Sequence, residues 1–200
     1  MTVFAAAVYR NGLERARLAD VARDARVPPA TVRAYWADET ACLLDTVETA
    51  TAQAFSRMAD VFLGCDTDCA TAAHHALATL LTDLSGAPEM VHLAVVELPR
   101  LGDVAHEQQV RLLDLFCEFL LPGFAMMGHP VPDPDTVSVC LGGGIWETVR
   151  RLATERQLQQ LPDALAPISF VCISTFFGTD EAMRVSQIPV HVVPRSAALG

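Results

Sequence analysis

The residues best suited to chemistry are two cysteines and two histidines within residues 65–75, namely Cys65, Cys69, His74 and His75. Thiolate and imidazole groups are common ligands of zinc in proteins. On one continuous helix, however, Cys69 and His74 point about 140° apart, since each residue turns the helix by about 100°. The four side chains converge only if the chain bends near residues 64–68. We therefore interpret the segment as a corner between two helices and expect no metal site, with a metal site as the alternative.

The sequence signatures of enzymes are missing from the chain. No Ser-His-Asp order, nucleophile elbow, phosphate-binding loop or carboxylate pair stands out. The glycine run at 142–144 does not suit a phosphate-binding loop, because no strand is predicted before it and no Lys follows it. We predict a protein that is not an enzyme and that uses no cofactor.

Basic residues are concentrated at the N-terminal end of an acidic chain. The formal net charge is −10, and all 14 basic residues are Arg. Six of these Arg lie in the first 33 residues, and residues 1–41 carry them against five acidic residues. An acidic chain does not coat nucleic acid indiscriminately. A locally basic end on an acidic body is typical of a DNA-reading module joined to a domain with another partner.

Hydrophobic periodicity predicts helices along almost the whole chain, and strand signals are nearly absent. Since 52% of the residues are hydrophobic and 19% are charged, the chain can bury a large core. Three short helices are predicted at 2–10, 17–25 and 29–36, followed by six longer ones at 39–63, 68–84, 88–98, 103–121, 136–156 and 161–177. The predicted fold class is all-α, with a helix-turn-helix DNA-binding domain at 1–41, a helical ligand-binding and dimerisation domain at 42–178, and an irregular C-terminal tail at 179–200.

Residues 18–36 have the spacing of a helix-turn-helix unit. The small Ala22 lies inside the first helix, a tight turn follows at Arg26 and Val27, and Pro29 suits the first position of the second helix. Such a second helix can enter the major groove of DNA with its N-terminal end nearest the bases. The apolar residues that would form one small core are Leu18, Val21, Ala25, Val27, Val32 and Trp36.

These features resemble the DNA-binding domain of the TetR (tetracycline-repressor-like) family of transcriptional regulators. The nine-helix layout resembles the same family over about residues 2–178. The chain departs from the family's pattern at Arg26, where Gly is usual, and at Glu39, where Lys is common. The matching residues are Gly12, Asp20, Val21, Ala22, Val27, Thr31, Tyr35, Trp36 and Leu43.

The resemblance implies a repressor that binds a palindromic operator in double-stranded DNA as a homodimer. Thr31 and Tyr35 are then expected to contact phosphate or position the helix, and Arg33 can pair with a guanine edge. Arg17, at the start of a helix, is expected to contact phosphate. The full set of predicted DNA-binding residues is Arg17, Ala30, Thr31, Arg33, Ala34 and Tyr35.

The resemblance also implies that the fourth to eighth helices enclose a pocket for a small-molecule effector. The acidic body suggests an uncharged or cationic apolar effector, whose binding would release the protein from DNA. The alternative is a family member that no longer reads DNA and acts as a small-molecule-binding or protein-binding helical module. The candidate ligand-binding residues are Phe62, Met90, His92, Phe116, Phe119 and Trp146.

The last two helices are expected to pair with their copies as a four-helix bundle. The glycine run at 142–144 is costly inside a helix, but it suits the close approach of a second backbone. No signal peptide is recognised, and the apolar stretch at 165–177 is too short to span a bilayer. We therefore predict a cytoplasmic homodimer without a membrane partner, in which the six Cys are reduced.

Overall fold

The computed structural model of the chain describes residues 2–127 and 131–190, and within these residues every regular element is helical. The all-α fold class is therefore confirmed. The α-helices of the described residues are α1 (Thr2–Asn11), α2 (Leu18–Asp24), α3 (Pro29–Tyr35), α4 (Glu39–Gly64), α5 (Cys69–Ser85), α6 (Pro88–His92), α7 (Asp103–Met126), α8 (Pro134–Thr154), α9 (Leu165–Phe177) and α10 (Thr179–Ser186).

The first three helices and the start of α4 form a small head around one apolar cluster. Phe4 of α1, Val21 of α2 and Val32 of α3 are buried there, together with Leu43 of α4. Helix α4 begins where Asp38 caps it, because the Asp38 carboxylate accepts a hydrogen bond of 2.8 Å from the backbone N–H of Ala41. The predicted helix-turn-helix arrangement of α2 and α3 is thus held on the long helix α4.

Helices α5 to α9 form a larger body around a second apolar cluster. Leu81 of α5, Phe116 of α7 and Ile145 of α8 meet in it, and Leu161 closes it from the 3₁₀ turn before α9. Helices α5, α7 and α8 each place apolar residues in this cluster, the arrangement that lets helices pack around a common interior.

The predicted helix at 88–98 is not one regular helix. Helix α6 is followed without a break by a π-helical segment at Leu93–Glu97 and a 3₁₀ segment at Leu98–Leu101. Pro99 has no N–H to donate to the preceding turn, so the regular α-helical ladder cannot continue through it. The prediction for α7 was too short, since this helix passes Gly123 and ends at Met126.

The predicted irregular tail is wrong for residues 179–186, which form α10. Ala182 and Val185 are fully buried against Ile173 of α9 and Ala70 of α5. Asp180 and Glu181 lie in the first turn, where negative charge favours a helix N-terminus. The remainder of the predicted tail, 191–200, lies outside the described residues, as do residues 128–130 of the predicted proline-rich loop.

One helical stretch of the described residues, Leu158–Phe177, is long and apolar enough to cross a membrane by length and composition alone. It is longer than the apolar stretch at 165–177 because the 3₁₀ turn before α9 adds to it. This stretch contacts α5 and α10, yet only 22% of its most apolar window is buried. One face of α9 is therefore uncovered in the single chain.

Candidate DNA-reading surface and ligand cavity

Helix α3 presents most of its surface to solvent. Only Val32 is buried, at 4% exposure, and it anchors the helix in the head cluster. At the far end of α3, the indole N–H of Trp36 donates a hydrogen bond of 2.9 Å to the Asp45 carboxylate on α4. The remaining predicted residues of this helix are all exposed: Ala30, Thr31, Arg33, Ala34 and Tyr35.

Two of these exposed residues are suited to contact DNA. The Tyr35 side chain is 78% exposed, which is unusual for a large aromatic residue. Among residues 2–127 and 131–190, Arg33 has no carboxylate within ion-pair distance, whereas Arg23 on α2 pairs with Asp20 at 2.7 Å. The guanidinium of Arg33 is therefore available to an incoming acceptor.

The turn between α2 and α3 places Arg26 in the left-handed region of backbone space, with φ of 57°. The backbone N–H of Val27 donates a hydrogen bond of 3.0 Å to the Ala22 carbonyl and closes the turn. Glycine adopts a positive φ without a steric cost, and arginine does not. The chain thus keeps the turn that the TetR resemblance implies while carrying an unfavourable residue in it.

The first backbone N–H of α2 already has a hydrogen-bond acceptor within the chain. The Glu39 carboxylate accepts a hydrogen bond of 3.2 Å from the backbone N–H of Leu18, the first residue of α2. The exposed Arg17 donates to the backbone carbonyls of Glu14 at 2.7 Å and Ala16 at 2.9 Å. A DNA phosphate at this point would have to compete with the Glu39 carboxylate for the same donor.

A cavity of about 520 Å³ lies in the body between α4, α5, α6, α7 and α8. Its volume falls within the range of small-molecule sites, and its walls are mainly apolar. It brings together three of the predicted ligand-binding residues, Met90, Phe116 and Trp146. Further apolar lining comes from Val47, Ala50, Ala54, Phe55, Leu80, Leu84, Val91, Ala94, Val95, Leu112, Leu113, Ile145 and Val149.

The other three predicted ligand-binding residues lie away from this cavity. The rings of Phe62 and Phe119 pack against each other with centroids 5.7 Å apart, in a separate cluster around Met58. His92 lines a smaller cavity of about 230 Å³ beside Tyr9, whose ring is edge-on to it at 5.1 Å.

None of the six α4 residues that line the cavity was predicted from the sequence, and three of these are Val47, Thr51 and Phe55. They follow each other at intervals of four residues, which places them along one side of the helix. This spacing is the one feature of the sequence that could have indicated them as lining residues. It cannot, however, distinguish a residue that lines a cavity from one that fills a core.

The cavity and the head share one connecting segment, residues 88–101. Met90 and Ala94 line the cavity, while Leu93 and Leu98 are fully buried in the head cluster. Val47 of α4 belongs to both regions. If a bound molecule displaced this segment, the packing of the head would therefore change directly.

Charged and polar side chains also hold this segment in place. The buried Glu97 carboxylate accepts two hydrogen bonds of 3.0 Å from the Arg100 guanidinium. Its Oε1 lies 3.3 Å from Nε2 of His92. Glu97 therefore links the start and the end of the segment through side chains that do not line the larger cavity.

The cysteines and histidines considered first do not converge. Cys65 Sγ lies 3.2 Å from His75 Nδ1, while Cys69 is exposed. Within the described residues no three His, Cys, Asp or Glu side chains are grouped as metal ligands would be. His74 is fully buried, with Nε2 donating to the Ile188 carbonyl at 3.0 Å and Nδ1 accepting from the Ser169 hydroxyl at 2.8 Å.

The outer faces of α8 and α9 are uncharged at several exposed positions. Helix α9 contains no charged residue, and its Val171 is 54% exposed. On α8, Val139 is 48% exposed, and a Cβ built on Gly143 or Gly144 meets no atom within 4 Å. These two glycines leave room on this face for another chain, the arrangement that the sequence predicts for the run.

Gly142 differs from the other two glycines of the run. A Cβ at this position would lie 2.9 Å from Cδ1 of Phe116, so the glycine allows α7 to approach α8 within the chain. The close approach predicted for the run is thus intramolecular at Gly142.

The head with an exposed helix and the body with a mainly apolar cavity make up an all-helical fold. The chain is similar to the solved structure of the fatty acid degradation regulator FadR from Bacillus halodurans. The two share 15% sequence identity with a TM-score of 0.72, and the match covers 88% of this chain and 93% of that one. At this identity the likeness shows the fold. No family model and no curated protein matches the chain.

Proposed function

We propose that the chain is a ligand-responsive transcriptional repressor of the TetR type. It binds a palindromic operator as a homodimer through α3 and is released when a small apolar molecule fills the 520 Å³ cavity. The observation that carries this proposal is the segment 88–101, whose Met90 and Ala94 line the cavity and also pack against the head cluster. A ligand that favours one position of the segment shifts the population of head orientations.

The homodimer follows from the size of the reading surface. One helix-turn-helix unit contacts little DNA, and specific recognition usually needs two units related by a two-fold axis. The uncharged outer face of α9 and the open glycines of α8 support pairing of these helices with their copies. Such pairing would also cover the apolar stretch Leu158–Phe177 and keep the protein soluble in the cytoplasm.

The effector is proposed to be mainly apolar. Met90, Phe116 and Trp146 are the predicted residues that take part in its binding, with Phe55 and Ile145 beside them. The similar solved structure is that of a regulator of fatty acid degradation, and an alkyl chain matches walls of this kind.

The experiment is selection of bound sequences from a pool of random DNA duplexes, at low and moderate salt. We expect one palindromic site to be enriched, and Arg33→Ala to lose the preference at a single position in each half-site, since an Arg–guanine pair contributes about 1–3 kcal/mol of discrimination. The matched control is Arg111→Ala, which removes an equally exposed Arg from α7 in the body. Equal loss in both variants would mean that only general charge is being measured.

A second candidate function is a helical module that binds a small molecule or a protein and does not read DNA. It is favoured by Glu39, whose carboxylate occupies the N-terminus of α2. Under this function no sequence is enriched even at low salt, although the protein remains a folded dimer. Glu39→Gln distinguishes the two, because it keeps a hydrogen-bond acceptor and removes the charge. Under DNA reading we expect this variant to bind its operator more tightly.

A further inference from the structure

The larger cavity carries charge of only one sign. Asp83 of α5 and Glu89 of α6 are among its lining residues, and no Arg or His is. The neutral polar side chains of the lining are those of Thr51 and Gln53, both on α4. A ligand in this cavity therefore meets two carboxylates and no basic side chain.

Asp83 forms an ion pair with Arg57 of α4. Nη1 of Arg57 lies 3.3 Å from Oδ1 of Asp83. The Asp83 side chain is 15% exposed and that of Arg57 is 29% exposed. Asp83 lines the cavity, whereas Arg57 does not.

The walls around these carboxylates are aromatic as well as apolar. Phe55, Phe116 and Trp146 all line the cavity, and Phe55 and Phe116 meet edge to face with centroids 6.4 Å apart. The faces of aromatic rings attract cations, and the attraction strengthens where water is excluded. Carboxylates and rings therefore favour the same type of ligand charge.

From this arrangement we propose that the effector is an amphiphilic cation, with an apolar body and one positively charged amine or quaternary ammonium group facing Asp83 and Glu89. The inference rests on the proposed function, in which this cavity is the effector site. A ligand with a free carboxylate is selected against, because its charge would lie near the Glu89 carboxylate and the Asp83–Arg57 ion pair, and no basic side chain of the lining could pair with it.

The test compares three probes that share a ten-carbon chain and differ in the head group: decyltrimethylammonium, decanol and decanoate. Each is titrated into the full-length protein at pH 7.5 by calorimetry, below its micelle concentration. We expect decyltrimethylammonium to bind at least about tenfold more tightly than decanoate, with decanol between them. Equal or tighter binding of decanoate would overturn the proposal, as would failure of all three probes to bind.

Two variants test whether the head-group preference comes from charged side chains in the cavity lining. Glu89→Gln removes one lining carboxylate, so we expect the preference for the cation to fall about three- to tenfold while decanol binding is unchanged. Gln53→Lys adds a basic group to the lining, so we expect decanoate to gain affinity. The matched control is Asp60→Asn, which removes an exposed carboxylate of α4 that does not line the cavity. A loss of preference in Asp60→Asn as large as that in Glu89→Gln would show that only the net charge is sensed, and would overturn the proposal.

Failure of this inference is distinguishable from failure of the proposed function. The DNA selection uses the same protein without any probe. Enriched DNA with a preference for decanoate rejects the cationic effector and keeps the regulator. Preference for the cation without enriched DNA keeps the head-group selectivity and rejects the regulator.

Discussion

At the scale of single residues, Arg26 shows how one side chain can oppose the turn in which it lies. Its φ of 57° closes the turn between α2 and α3, which positions the exposed helix. From the resemblance to the TetR family we expected glycine at this position. The backbone conformation has been kept although the residue type has not.

Replacing Arg26 with Gly should stabilise the protein. Glycine accepts the positive φ without the steric cost, although it also gains entropy in the unfolded chain. We expect the free energy of unfolding to rise by roughly 0.5–1 kcal/mol, measured by urea denaturation. Arg33→Gly is the matched control inside α3, where the same replacement should cost about 1 kcal/mol. A loss of stability in both variants would mean that the turn is not strained.

The sequence predicted the exposed residues of α3 more completely than it predicted the residues that line the cavity of the body. Thr31, Arg33 and Tyr35 lie on a short helix whose single buried residue, Val32, fixes the direction of all the others. Phe62 and Phe119 were equally plausible lining residues by type, but they pack against each other. Which apolar side chain borders a cavity depends on how helices pack, and residue type alone does not encode this.

At the scale of helices, the sequence predicted where elements exist better than how they end. Pro99 disrupts the regular helix at 88–98 without ending the helical path, because the π-helical and 3₁₀ segments carry the chain on to Leu101. Helix α7 continues past Gly123, whose Cβ position lies 3.1 Å from the Phe176 ring. Phe176 also packs against Phe124 at 4.8 Å, a tertiary contact that favours continuing the helix and that no local pattern reveals.

The contact between α7 and α8 can be tested at Gly142. In Gly142→Ala the new methyl would lie 2.9 Å from Cδ1 of Phe116, so the ring, which lines the cavity, must shift. We expect a net loss of roughly 1 kcal/mol in stability, since overpacking outweighs the gain in helix propensity. We also expect weaker binding of decyltrimethylammonium by calorimetry.

The control for this prediction is Gly143→Ala, where no atom of the chain lies within 4 Å of the new methyl. Within one chain this replacement should raise stability by about 1 kcal/mol through helix propensity and leave ligand affinity unchanged, whereas a loss of stability that depends on protein concentration would come from the proposed dimer face. If Gly142→Ala behaves in the same way, the contact with Phe116 does not constrain the helix pair. Loss of the dimer in Gly143→Ala, seen by sedimentation, would mark this residue as a dimer contact.

Helices α5 and α9 and the chain after α10 meet at His74, and this junction should be sensitive to acid. Burial lowers the pKa of His74 below its usual value of about 6.5, and the nearby His75 lowers it further. The unfolded chain therefore binds a proton at a higher pH than the folded protein. The corresponding stability is complete above about pH 6.5 and is lost as the pH falls from there through the lowered pKa.

We expect the free energy of unfolding to be smaller at pH 5.5 than at pH 7.5, by up to about 1.4 kcal/mol per pH unit from this one group. Urea denaturation at several pH values measures it. His74→Gln should flatten the dependence between pH 5 and 7, whereas His106→Gln, which changes an exposed residue of α7, should leave it intact. An undiminished dependence in His74→Gln would assign the acid sensitivity to other groups.

At the scale of the whole molecule, the proposed effector cavity and the head share the segment 88–101, so the proposed coupling between them must work in both directions. Met90 and Ala94 line the cavity and also pack against the head cluster, in which Leu93 is fully buried. If effector binding lowers operator affinity by some factor, operator binding must lower effector affinity by the same factor. Couplings of this kind commonly amount to about 5–150-fold.

The two factors can be measured independently, by titrating operator DNA with and without saturating decyltrimethylammonium and by titrating decyltrimethylammonium with and without saturating operator. We expect both to fall in this range and to agree within experimental error. Arg33→Ala should weaken operator binding while leaving effector affinity in the DNA-free protein unchanged, since its side chain lies on α3 and not in the cavity. Effector binding without any change in operator affinity would mean that the segment 88–101 fills the cavity wall and the head core without transmitting a signal between them.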